Sequence, residues 1–89
     1  MLAGAVLDGS DLTHAHLDEV NLEGGSLRKA NLSQSSLRCA NLQNADLTEA
    51  NLSYADLRHA DLTGARLTGA LLDAVRSDDT TIWPISSSL

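Results

Sequence analysis

Residues 40–72 read ANLQNADLTEANLSYADLRHADLTGARLTGALL: leucine returns at every fifth position and alanine stands two before it. Five suits neither regular structure. On an α-helix each residue advances about 100°, so leucines five apart step round the cylinder by about 140° and form no stripe. Along a flat strand an odd spacing sends successive leucines to opposite faces. Within one pentad, however, alanine and leucine are two apart and share one face of a short extended segment, while the other, mostly polar positions turn a corner. A chain that makes one inward side and one corner per pentad winds into a solenoid filled with stacked leucine and alanine.

The number of sides can be counted from the charges. Residues one coil apart lie about 4.8 Å from each other, so opposite charges should recur at that separation and like charges should be few. At a displacement of twenty residues all six basic side chains meet an acid: Arg28 with Asp8, Lys29 with Glu49, Arg38 with Asp18, Arg58 with Asp78, Arg66 with Asp46 and Arg76 with Asp56. At fifteen residues three do, and at twenty-five none. Four pentads per turn, a square coil, is the expectation. Arg38 and Arg58, which stack on each other, are its one blemish.

ANLQN, ADLTE, ANLSY, ADLRH and ADLTG resemble consecutive copies of the A(D/N)LXX motif of the pentapeptide-repeat family, and the resemblance covers nearly the whole chain. It implies an all-β fold, a right-handed quadrilateral parallel β-helix, here of about four coils of 20 residues. It implies little chemistry, since most members of that family have no assigned activity. A known minority are acidic rods that mimic DNA and protect gyrase.

Composition fits a narrow bore. Phenylalanine is absent, and there is one Trp and one Tyr; a square lumen lined by Leu and Ala has little room for rings. A net charge of −6 argues against direct nucleic-acid binding and against attraction to an anionic membrane. No run of about 18 apolar residues is present to span a bilayer. MLAGAVLDGSDL at the start has no basic n-region and is already in register, so no signal peptide and a cytoplasmic location are expected. A single cysteine forms no internal disulfide.

In order, residues 1–84 form one repeat domain. Coils are expected over 5–24, 25–44, 45–64 and 65–84, with Gly25 and Ser35 on alanine positions loosening the second. A buried serine must find a backbone carbonyl. Residues 75–84 are a degenerate terminating segment that holds the register, with Ser77 and Ile82 on leucine positions, Trp83 partly covering the ladder and Pro84 blocking further strand addition. Residues 85–89 are expected to be a disordered tail. Leu2, Val6 and the first coil leave an apolar edge through which two molecules could meet end to end.

Glu19, Cys39, His59 and Asp79 form one column of metal-capable side chains. Ligands to a tetrahedral ion converge within about 2.0–2.3 Å of one point, whereas these project in parallel from a row about 14 Å long. Neither a metal site nor a Cys39–His59 dyad is assigned; no catalytic, cofactor-binding or metal-binding residue is expected. Asp11, Asn31 and Asn51 on one side, and Asn21, Asn41 and Asp61 on another, should bond turn backbone. Leu71 breaks the first of these columns with an outward apolar group, to sit against Trp83 or Tyr54 or to mark a contact patch.

The expected function is that of a non-enzymatic structural or protein-interaction module with an unidentified protein partner. The alternative is an acidic DNA mimic acting on a type II topoisomerase. Six acids lack an opposite charge in this scheme (Asp11, Glu19, Glu23, Asp61, Asp73 and Asp79) and are spread over three sides. Duplex DNA would carry about 11 charges over the rod's length of about 19 Å, so the mimic fits poorly.

Overall fold

The computed structural model describes residues 2–84, and the chain in it is a right-handed quadrilateral β-helix. Among these residues twelve parallel bridges join successive coils. Eleven connect residues twenty apart, from Val6 with Ser26 to Asp56 with Arg76. Each wall contributes one bridging residue per coil, the one just before the leucine. The first wall carries Leu2, Leu22, Leu42 and Leu62; the second Leu7, Leu27, Leu47 and Leu67; the third Leu12, Leu32, Leu52 and Leu72; the fourth Leu17, Leu37 and Leu57.

One pentad explains the motif, because all five of its amides have assigned partners. In 45–49, the Ala45 N–H donates to Leu42 O across the corner (3.1 Å), and the Asp46 N–H reaches back to Gly25 O (2.9 Å). The Leu47 and Glu49 N–H groups reach forward to Arg66 O and Thr68 O (both 2.8 Å). The remaining amide, that of Thr48, donates to the side chain of Asp46 (3.0 Å). An Asp or Asn before the leucine therefore satisfies the one N–H that the backbone of neither the turn nor the neighbouring coils reaches.

Corners repeat with equal regularity. All fifteen residues standing two after an inward leucine, from Gly4 to Ala74, have φ between 56° and 72°. With the bond from the next alanine's N–H to the leucine carbonyl, this is the signature of a type II turn. Glycine suits such a position, but ten of the fifteen are not glycine, so the stacked coils impose left-handed backbone on residues that resist it. At Gly64 the restriction is twofold, since a Cβ would also lie 2.3 Å from Asn44 Oδ1.

Leu22 to Leu62 are no more than 1% exposed, and a fully buried leucine contributes about 1.5–3 kcal/mol. Leu7, Leu12 and Leu17 at one end and Leu67 and Leu72 at the other are only partly buried against this core. Gly25 leaves no gap, contrary to expectation: a Cβ there would meet Leu22 O at 3.0 Å and Ala5 O at 3.2 Å.

Two further expectations are corrected. The register does not survive to Ile82: the last bridge joins Asp61 to Ile82, twenty-one residues apart. One extra residue lies between Arg76 and Ile82, which shifts the turn to Asp79–Thr80. Ile82 consequently takes the outward bridging position and is 49% exposed, while Trp83 takes the leucine position and packs, half-buried, on the core. Thr81 fills the small-residue position, buried, with its hydroxyl donating to Leu57 O (2.9 Å). Pro84 is buried beside it. The expected tail, 85–89, lies outside the described residues.

The stacked ion pairs are the second correction. The twenty-residue displacement is right, yet the two salt bridges among the described residues are Arg28–Asp46 (3.9 Å) and Arg58–Asp56 (2.7 Å), neither of them a stacked pair. Asp8 and Asp18 do meet Arg28 and Arg38, but through the arginines' backbone N–H groups, at 3.0 and 3.1 Å. Where serine replaces Asp or Asn before the leucine, at Ser26 and Ser36, the carboxylate one coil earlier supplies the missing acceptor and also takes the serine hydroxyl.

Candidate functional site

Most of the outward Asp and Asn columns serve the corners. On the third wall, the Thr13, Ser33 and Ser53 amides donate to Asp11, Asn31 and Asn51 (3.1, 3.0 and 3.0 Å). On the first, Glu23, Gln43 and Thr63 donate to Asn21, Asn41 and Asp61 (3.0 Å each). The structural role expected of both columns is the one observed.

These bonds also set the acidity of the carboxylates. The Thr13, Thr48, Thr63 and Thr80 hydroxyls hold Asp11, Asp46, Asp61 and Asp78 below the usual carboxylate range, assisted by the same residues' backbone amides. Asp56 is lowered chiefly by Arg58, whose Nε and Nη2 donate to it at 2.9 and 2.7 Å. In each case a hydrogen bond to the charged form favours that form.

The metal-capable column is not continuous. Glu19, Cys39 and His59 occupy equivalent corner positions, with φ of 63°, 62° and 65°, but the extra residue carries Asp79 out of that place. Asp78 is the carboxylate that feels His59, after the larger effect of Thr80. Among the described residues no three His, Cys, Asp or Glu side chains are grouped to hold an ion. Cys39 is free and exposed.

What remains outward is distributed unevenly. All six Lys and Arg residues lie on the second and fourth walls, which face each other across the bore; the first and third walls carry acids and neutral polar groups. Among the described residues five large apolar side chains are exposed: Leu2, Val6, Tyr54, Leu71 and Ile82. Tyr54 and Leu71 belong to adjacent coils of the third wall, and the Tyr54 N–H donates to Asp73 O, two residues beyond Leu71 (2.8 Å). Leu71 is outward, as expected, and 51% exposed. Inside the bore, Ser35 Oγ is buried without a hydrogen-bond partner, where a local carbonyl contact was expected.

The sequence model of a family described as pentapeptide repeats, in eight copies, matches residues 2–34, 15–53 and 40–76. A pentapeptide repeat protein from the Arabidopsis thaliana thylakoid lumen is 33% identical, with a TM-score of 0.76 over 93% of this chain and 61% of that one. HetL, involved in heterocyst differentiation regulation in the cyanobacterium Nostoc sp. strain PCC 7120, is 32% identical, with a TM-score of 0.57 over 84% of this chain and 46% of that one. QnrB1, a plasmid-mediated fluoroquinolone resistance protein, shares the fold at 24% identity and a TM-score of 0.51. The chain therefore spans less than two thirds of the length of these structures, and no curated protein matches it.

Proposed function

Because the chain belongs to the pentapeptide-repeat family, we propose that it acts as a rigid, non-enzymatic module whose walls bind a protein partner. The observation that carries this reading is how the polar groups are used. Leucines fill the bore from Leu22 to Leu62, and most of the regularly placed Asp and Asn side chains are committed to turn amides. Flat, rigid exterior surfaces are what is left to present, and solenoids bind through such surfaces. The acidic-decoy alternative would need a continuous negative stripe, whereas cations interrupt two of the four walls.

Immobilised protein exposed to an extract of the native host tests the reading. A specific protein should be retained and then displaced by free folded chain, but not by a Leu52→Asp variant. Absence of any such protein would overturn the proposal. Inhibition of gyrase supercoiling at micromolar concentration would favour the decoy instead.

A further inference from the structure

We propose that the third wall, around Tyr54, Leu71 and Asp73, docks a polypeptide segment of another protein that carries an apolar side chain beside a lysine or arginine. This rests on the interaction-module reading and names the wall and the partner's chemistry.

Two large apolar side chains on adjacent coils of that wall are exposed, and neither gains burial inside the molecule. In the ladder Asp11, Asn31, Asn51, Leu71, the first three each accept the amide two residues on. Leu71 has no oxygen to offer the Asp73 amide, and its side chain is 51% exposed. One coil earlier the only tyrosine occupies a corner position, with the positive φ (63°) common to all fifteen corners. Its side chain is 61% exposed. Large apolar side chains left together in solvent mark contact surfaces.

Charge selects the occupant. The third wall carries Asp11 and Asp73 and no lysine or arginine. A second copy docking by the same wall would bring acid to acid, and nucleic acid would be repelled. A segment with an aliphatic or aromatic residue set against Tyr54 and Leu71, and a cation for Asp73, meets both demands.

A random-peptide phage library selected on the folded protein, followed by binding measurements on the synthetic peptides recovered, tests this. Peptides pairing an apolar residue with Lys or Arg are expected. They should bind Tyr54→Asn and Leu71→Asn roughly tenfold or more weakly, as for central interface residues. Asp73→Asn should weaken binding and flatten its salt dependence, while Val6→Ser and Ile82→Thr, on other walls, should bind as the parent does. Because Leu71→Asn restores the acceptor of the repeat, it should melt no lower than the parent, separating docking from folding.

A lower melting temperature for Leu71→Asn would show that Leu71 supports the fold and would overturn the proposal. Peptides lost on the Val6 or Ile82 variants but kept on the third-wall variants would overturn it while leaving the module reading intact. Acidic or purely polar peptides, or self-association through Leu71, would overturn the assigned occupant. Failure to select any peptide would overturn this proposal, while retention of a host protein by the immobilised chain would leave the module reading standing.

Discussion

Residues 45–64 and 75–84 follow one pentad plan, and they differ by a single added residue. In the first, alanine and leucine alternate into the bore and each wall bridges the next coil at a displacement of twenty. In the second, the bridge to Ile82 comes one residue late, a threonine hydroxyl reaches Leu57 O, and an indole stands where leucine would be. The contrast shows what fixes the register. It is the assignment of each backbone amide, together with a continuous apolar column, and not pairing between exposed charges. Where the column runs out of leucine, at Ser77, the chain shifts by one residue, which buries Thr81 and half-buries Trp83 instead.

The most severe way to break the comparison is to place a charge in each region. Leu52 is fully buried, so Leu52→Asp sets an unpaired anion in the bore. The cost rivals the whole stability of a small domain, about 5–15 kcal/mol. Loss of the circular dichroism signal and of a cooperative melt is expected. Leu72→Asp, at a position only partly buried, should lower the melting temperature and leave the fold recognisable, since its carboxylate can reach water. Equal damage at both positions would contradict the graded core.

Acid should act next, and unevenly. Asp11, Asp46, Asp56, Asp61 and Asp78 are all more acidic in the fold than in an unfolded chain, chiefly through Thr13, Thr48, Arg58, Thr63 and Thr80 respectively. Their lowered values mean that the unfolded state binds more protons, so stability is present above the unfolded value of about 3.9 and is lost as pH falls below it through the folded values. Melting temperature should therefore hold from neutrality down to about pH 4 and fall below that. A variant with Asp46, Asp56 and Asp61 changed to Asn, which keeps an acceptor in each corner, should show a shallower fall. An unchanged slope would mean that these carboxylates are not the titrating groups.

Much of this was legible in the sequence for a physical reason: a leucine period of five excludes helix and flat strand. The columns Asp11–Asn31–Asn51 and Asn21–Asn41–Asp61 also declared their role, because short amide and carboxylate side chains bond nearby backbone almost wherever a turn offers an amide. The added residue was not legible, since Ser77, Thr80 and Ile82 suit either register. Only the contacts of Thr81 and Trp83 decide between them. Nor could sequence separate an arginine's charge from its backbone: Asp8 and Asp18 lie where a charge count places them, yet bind amides. Leu71 stood out as a break in its column with Tyr54 or Trp83 as candidate neighbours, but that Leu71 and Tyr54 are both left exposed required the structure.

Ser35 sharpens the comparison inside the regular coils. It shares its column with Ala15 and Ala55, is 2% exposed, and has an unpartnered hydroxyl. A buried polar group without a partner costs about 1–3 kcal/mol. Ser35→Ala should raise stability by about 1 kcal/mol, or roughly 4–8 °C in melting temperature for a domain of this size. A decrease would mean that the hydroxyl is bonded in solution.

The smallest effect expected is at Arg66, which stacks below Asp46 in the second-wall ladder. If stacked ion pairs held the coils in register, Arg66→Glu would set two anions about 4.8 Å apart and cost more than any other surface change. The Asp46 carboxylate, however, is already engaged by the Thr48 hydroxyl and amide, at 2.5 and 3.0 Å. The Arg66 backbone makes its bonds to Ala45 O and from Leu47 N–H whatever the side chain. Exposed charge pairs contribute about 0–1 kcal/mol, and a change within about 0.5 kcal/mol is expected. Denaturant unfolding in low and high salt would measure it. A loss well beyond that, relieved by salt, would restore the ionic account of the register.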